Sequence, residues 1–138
     1  MITVFSTSLC DTEEAGKKLA GFLSGGDIVA FRGDMGVGKT SFIKGLAKGL
    51  EIEEEVTSPS FTLINEYRGS KFKLCHLDAW RLNSPNDIDD IGLFDYIDSG
   101  WVTAIEWSEN LSIKSDFTVT IERTSDNDRT IYLEGKGI

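Results

Sequence analysis

The segment Gly33-Asp34-Met35-Gly36-Val37-Gly38-Lys39-Thr40 constrains this chain more than any other feature, because it satisfies the pattern GxxxxGK[ST]. Its glycines let the backbone wrap around an anion with N–H groups pointing inward. Lys39 adds a positive charge at the terminal phosphates of a nucleotide. The Thr40 hydroxyl is a hard oxygen ligand for magnesium. Such a loop works only between a strand and a helix, since the helix aims the positive end of its dipole at the same phosphates. Both elements are legible. Ile28 to Phe31 reads as a short buried strand, and Ser41 to Leu50 as a helix with Phe42, Ile43, Leu46, Ala47 and Leu50 on its apolar face. The expected ligand is ATP with Mg2+, with GTP as the less favoured nucleotide, held by residues 33–40 and by Ser41.

Around this segment the chain reads as a single α/β domain spanning residues 1–138. Asp11 and Glu14 fit a capping box, and Ala15, Leu19, Phe22 and Leu23 form the buried face of the helix behind it. Ser24-Gly25-Gly26-Asp27 ends that helix, and Thr3 to Phe5 reads as a short edge strand. Phe61 to Tyr67 and Phe72 to Leu77 form one antiparallel hairpin, and a second joins Phe117–Ile121 to Ile131–Leu133 through Ser125-Asp126-Asn127-Asp128. Ser84-Pro85 opens a helix that Gly92 interrupts, with Ile88, Ile91, Phe94 and Ile97 on its buried side. Val102 to Ile105 is a buried strand. Buried strands mixed with alternating ones imply a mixed parallel/antiparallel sheet flanked by helices, a P-loop NTPase domain.

Composition narrows the function. With 40% hydrophobic and 27% charged residues the chain has the make-up of an ordinary globule. No apolar run approaches the roughly 20 residues of a membrane span, and the N-terminus lacks the pattern of a secretion signal. Cys10 and Cys75 show no metal-binding spacing and read as reduced thiols in or near the core of a cytoplasmic protein. The formal net charge of -9 opposes tight, unaided binding to tRNA or other nucleic acid, without preventing a focused positive pocket.

A nucleoside triphosphatase also needs acids around its metal and its attacking water. Two buried strands end in one: Lys73–Asp78 in Asp78, and Val102–Glu106 in Glu106. Strand ends on one sheet edge converge on the phosphate site in open α/β folds. Composition does not decide which acid takes which role. His76 reads as a structural histidine, and Trp80, Trp101 and Trp107 as core or interface groups.

The segments GDMGVGKT, VTSPSFTLINEY, HLDAWRL and AIEWSE follow one another in an order and spacing that resembles the TsaE family (also called YjeE), small bacterial ATPases of tRNA threonylcarbamoyladenosine formation. The resemblance covers roughly residues 11–109. The family usually has threonine where Ser60 stands and tyrosine where Trp80 stands; Ser60 keeps the hydroxyl, and Trp80 keeps an aromatic ring with a polar handle. The resemblance implies that Thr40 and Glu106 coordinate magnesium. It implies that Asp78 is needed for hydrolysis, and that Trp107 lies beside the metal-binding acid. Thr57 to Ser60 falls where a switch-like loop meets the γ-phosphate, which places Ser60 at the nucleotide. Arg129 falls near the nucleotide, and Ser8 and Leu9 near the adenine. The implied partners are TsaD, which transfers the threonylcarbamoyl group to the adenosine beside the anticodon, and its paralogue TsaB. Partner-dependent ATPase activity is the expected function. A small-molecule kinase fits less well, because 138 residues leave little room for an acceptor pocket and an Arg-rich lid. A nucleotide-gated binding module without turnover is the other alternative, and Asp78 and Glu106 argue against it.

Overall fold

The computed structural model describes residues 1–33, 38–56, 64–79, 92–106 and 113–138. Seven strands form one sheet: β1 (Ile2–Ser6), β2 (Ile28–Arg32), β3 (Ile64–Arg68), β4 (Lys73–Asp78), β5 (Val102–Glu106), β6 (Phe117–Arg123) and β7 (Arg129–Gly135). Among the described residues three helices accompany them: α1 (Leu9–Ala20), α2 (Lys39–Gly49) and α3 (Leu93–Asp98). The strand order is β1-β7-β6-β2-β5-β4-β3. The central strands β6, β2, β5 and β4 run parallel, while β1/β7, β6/β7 and β3/β4 are antiparallel. The mixed sheet expected from the sequence is therefore present, with β2 at its centre and a hairpin on each side. Among the described residues no helix is long and apolar enough to cross a membrane.

Side-chain alternation divides the core. Val29, Phe31, Leu74, Val102, Ala104, Phe117, Val119, Ile131 and Leu133 face α1 and α2 and pack with Leu19, Phe42, Ile43, Leu46 and Leu50. Ile28, Cys75, Leu77 and Ile105 point the other way, towards Ala79, Leu93 and Trp101. Trp101 is a core residue, as the sequence suggested: Tyr96 meets its ring edge-on at 5.1 Å, and Arg68 and Lys73 lie 5.3 and 5.5 Å from its centroid. Trp80 and Trp107 lie outside the described residues.

Three local expectations need correction. The capping box sits three residues earlier than Asp11–Glu14. Ser8 is the N-cap and its hydroxyl accepts from the Asp11 N–H at 3.1 Å. Asp11 reaches back to accept from the Thr7 N–H at 3.0 Å, which holds its carboxyl below the usual range. Gly92, with φ 75°, is the N-cap of α3, so the phase of this helix is set there. Leu93 is consequently fully buried and Phe94 is exposed. The helix expected from Ser84 lies outside the described residues. Finally, only Cys75 is in the core, where burial pushes its thiol up to about 12, aided by Glu66; Cys10 is exposed.

The helix pair α1–α2 comes together through glycine. A Cβ on Gly45 would fall on the Glu13 carbonyl, and one on Gly16 on the Phe42 carbonyl. Both obstacles are backbone, so neither can swing aside. Gly45→Ala is expected to destabilise the protein by about 2–3 kcal/mol, as overpacking of a close-packed contact does. Gly21→Ala is the control. Its backbone is already helical and its nearest obstacle is 3.4 Å away, so it should stay within about 0.5 kcal/mol of the parent. Urea unfolding followed by circular dichroism measures both, and equal midpoints for the two variants would contradict this packing.

Candidate functional site

Strand β2 ends at Arg32 in the middle of the sheet, and its carboxyl end opens directly into the glycine-rich loop. Gly33 turns the chain with φ 135°, and Gly38 closes the loop with φ 104°. Both values lie where a side chain is strained, which is the physical reason for glycine at these two positions. Asp34, Met35, Gly36 and Val37 lie outside the described residues. Gly38 is the N-cap of α2, and its carbonyl accepts the first helical bond, from Phe42 N–H at 3.0 Å. Gly38 supplies no side-chain cap, and no acidic residue occupies the first turn. The positive end of the helix dipole is thus left for an anion. Lys39, the first residue of α2, is 6% exposed. Thr40 and Ser41 follow on the same turn, half-buried.

The acids arrive from the neighbouring strands. β5 pairs with β2, and β4 pairs with β5, all three parallel. The register sets Asp78 opposite Glu106. Alternation places both on the face covered by α1 and α2, because Leu74 and Ala104 on the same rows pack against those helices. Three successive strand ends at one sheet edge therefore present the loop, Glu106 and Asp78, in that order. Glu106 is one strand from the loop and Asp78 two. The ambiguity between the acids that composition left open thus acquires a spatial order.

Glu106 is buried, and beside it lies His76, which the sequence presented as a structural histidine. His76 is completely buried, and its Nε2 lies 2.7 Å from Glu106 Oε2. The pair is thirty residues apart in sequence and meets only through the β4–β5 register.

Arg129 starts β7, whose pairing with β6 puts it at the same sheet edge. Its Nη1 donates to the carbonyls of Ser125, Asp126 and Asp128 at 3.0, 3.3 and 2.9 Å. The guanidinium therefore ties the β6–β7 turn, two strands away from β2. Ser60 and Trp107 lie outside the described residues, as does the Thr57–Ser60 loop. Ser8 and Leu9, by contrast, open α1, with Leu9 exposed.

The chain has clear relatives. The family described as threonylcarbamoyl adenosine biosynthesis protein TsaE matches residues 6–131. The tRNA threonylcarbamoyladenosine biosynthesis protein TsaE of Treponema pallidum is 42% identical over 117 residues, covering 84% of this chain and 86% of the relative. That of Bacillus subtilis is 35% identical over 130 residues, covering 92% and 81%. Among solved structures, Bacillus subtilis YdiB superposes with a TM-score of 0.79 at 31% identity, covering 99% of this chain and 86% of that one. With a glycine-rich loop at the centre of this sheet and a family match over nearly its whole length, the chain belongs to the TsaE family.

Proposed function

We propose that the chain binds ATP with Mg2+ and hydrolyses it in a partner-dependent way, as a cytoplasmic factor in threonylcarbamoyladenosine modification of tRNA. The observation that carries this reading is the placement of the positive-φ glycines Gly33 and Gly38, buried Lys39, Thr40, Glu106 and Asp78 at one sheet edge. The residues fit the ligand. A buried ammonium beside a glycine-capped helix N-terminus suits a phosphate chain. A hydroxyl and a buried carboxylate are the hard oxygen donors that magnesium takes alongside substrate phosphates, so Thr40 and Glu106 would hold the ion. Bound there, magnesium would neutralise phosphate charge during transfer to water. Asp78, one strand further out, would orient the attacking water and accept its proton. Ser60, Trp107 and Arg129 enter this reading through family likeness alone.

TsaD and TsaB are the partners of this reading. The formal net charge of -9 leaves tRNA contact to a more basic partner. ATP would then govern association, because a ligand shifts an equilibrium only by its differential affinity for the two states. The expected result is at least a tenfold difference in affinity for a TsaD–TsaB pair between the ATP-loaded and ADP-loaded protein. Phosphate release from ATP should be slow alone and faster with the pair. Calorimetry and a phosphate-release assay test this, with GTP as competitor. Equal affinities with ATP, ADP and no nucleotide, or tight salt-resistant tRNA binding by the chain alone, would refute it.

A further inference from the structure

We propose that His76 is a positioning residue that holds the Glu106 carboxylate in the orientation needed for the metal. The proposal rests on the reading of Glu106 as a magnesium ligand. Strand β4 is otherwise apolar where it is buried: Leu74, Cys75 and Leu77 are, like His76, completely inaccessible. An imidazole in such a place costs free energy unless it is hydrogen-bonded. Its one described bond goes to the acid at the site, 2.7 Å from Nε2 to Oε2. Nδ1 is buried and has no hydrogen-bond partner among the described residues. The ring therefore spends its polar capacity on Glu106. An ionised carboxylate only accepts, so Nε2 carries the proton and donates.

The consequence for Glu106 is geometric. A glutamate side chain has three torsions, and burial alone leaves the final carboxylate rotation open. With Oε2 tied to a ring fixed in the core, that rotation is settled, and Oε1 is the oxygen left for a cation. Hydrogen bonds to ligating carboxylates do this work in metal sites generally, and their loss typically weakens metal affinity about 10–100-fold. The β4–β5 register puts His76 two residues before the position facing Glu106, on the same face, which is what allows the ring to reach it.

Four variants test the proposal: His76→Leu, His76→Gln, His76→Asn and Glu106→Gln. The readout is the magnesium concentration giving half-maximal ATP binding by calorimetry, with thermal melting of the nucleotide-free protein as a check on folding. His76→Leu should raise that concentration about tenfold and leave magnesium-free nucleotide affinity unchanged. His76→Gln, whose amide nitrogen reaches the place of Nε2, should restore it to within about threefold. His76→Asn, too short to reach, should behave like leucine; if the leucine variant does not fold, the glutamine–asparagine comparison decides the matter. Unchanged magnesium dependence in His76→Leu, or equal magnesium dependence in the glutamine and asparagine variants, overturns the positioning role. If Glu106→Gln itself leaves the magnesium dependence unchanged, the metal reading fails and this proposal falls with it. A shift in Glu106→Gln but not in His76→Leu overturns the positioning role alone.

Discussion

Lys39→Ala is expected to lower ATP affinity by about two orders of magnitude, the worth of one or two charge-assisted hydrogen bonds to phosphate. The expectation follows from where the ammonium sits. Lys39 is the first residue of α2 and nearly inaccessible, so its charge acts in a medium that screens it far less than water does. No other basic residue lies in the first turn of α2, where the phosphates would rest. Lys39→Arg should also bind poorly, because a planar fork does not occupy the volume of a compact ammonium. Isothermal calorimetry gives the affinities, and melting of the nucleotide-free protein separates loss of the site from loss of the fold. Equal affinity in Lys39→Ala and the parent protein would remove the phosphate loop from its assigned role.

Asp78→Asn is expected to leave ATP affinity within about threefold and to lower partner-stimulated turnover at least about 100-fold, the usual contribution of a positioned acid or base. The reasoning is topological. Asp78 stands two strands from β2, with Glu106 between, so it is better placed for water than for the ion nearest the loop. The isosteric amide keeps the volume and removes the charge that accepts a proton. Glu106→Ala is the comparator, and it should shift the magnesium dependence of binding more than nucleotide affinity itself. Single-turnover phosphate release and a magnesium titration distinguish the two. The reverse ordering would mean that the acids have exchanged roles.

The parts of the molecule that sequence made legible are those governed by local rules. GxxxxGK[ST] demands backbone that only glycine adopts easily, and Gly33 and Gly38 have it. Apolar runs located β2 and β5, which are buried on both faces, and alternation located β6, which is buried on one. The misjudged features depend on phase or on distant pairing. Ser8-x-x-Asp11 and Asp11-x-x-Glu14 both satisfy a capping pattern, and only the contact of α1 with β1, through Thr12 and Ser6 at 2.7 Å, selects the first. Phe94, expected on the buried side, is exposed because the helix starts at Gly92 with Leu93 facing the core. His76 is the buried core residue that its strand pattern suggested, but its bond to Glu106 exists only in one strand register, which no single-strand pattern encodes.

That register bears on how the chain can lengthen or shorten over time. Side chains alternate with a period of two, so one residue inserted in β4 before Asp78 would send the acid through to the Cys75 face of the sheet. The same residue added in the turn after Arg123 would displace only exposed backbone. A single added residue is therefore expected to be tolerated in the exposed β6–β7 turn, whereas the β5–β4 pair needs a fixed count between its first core residue and its acid.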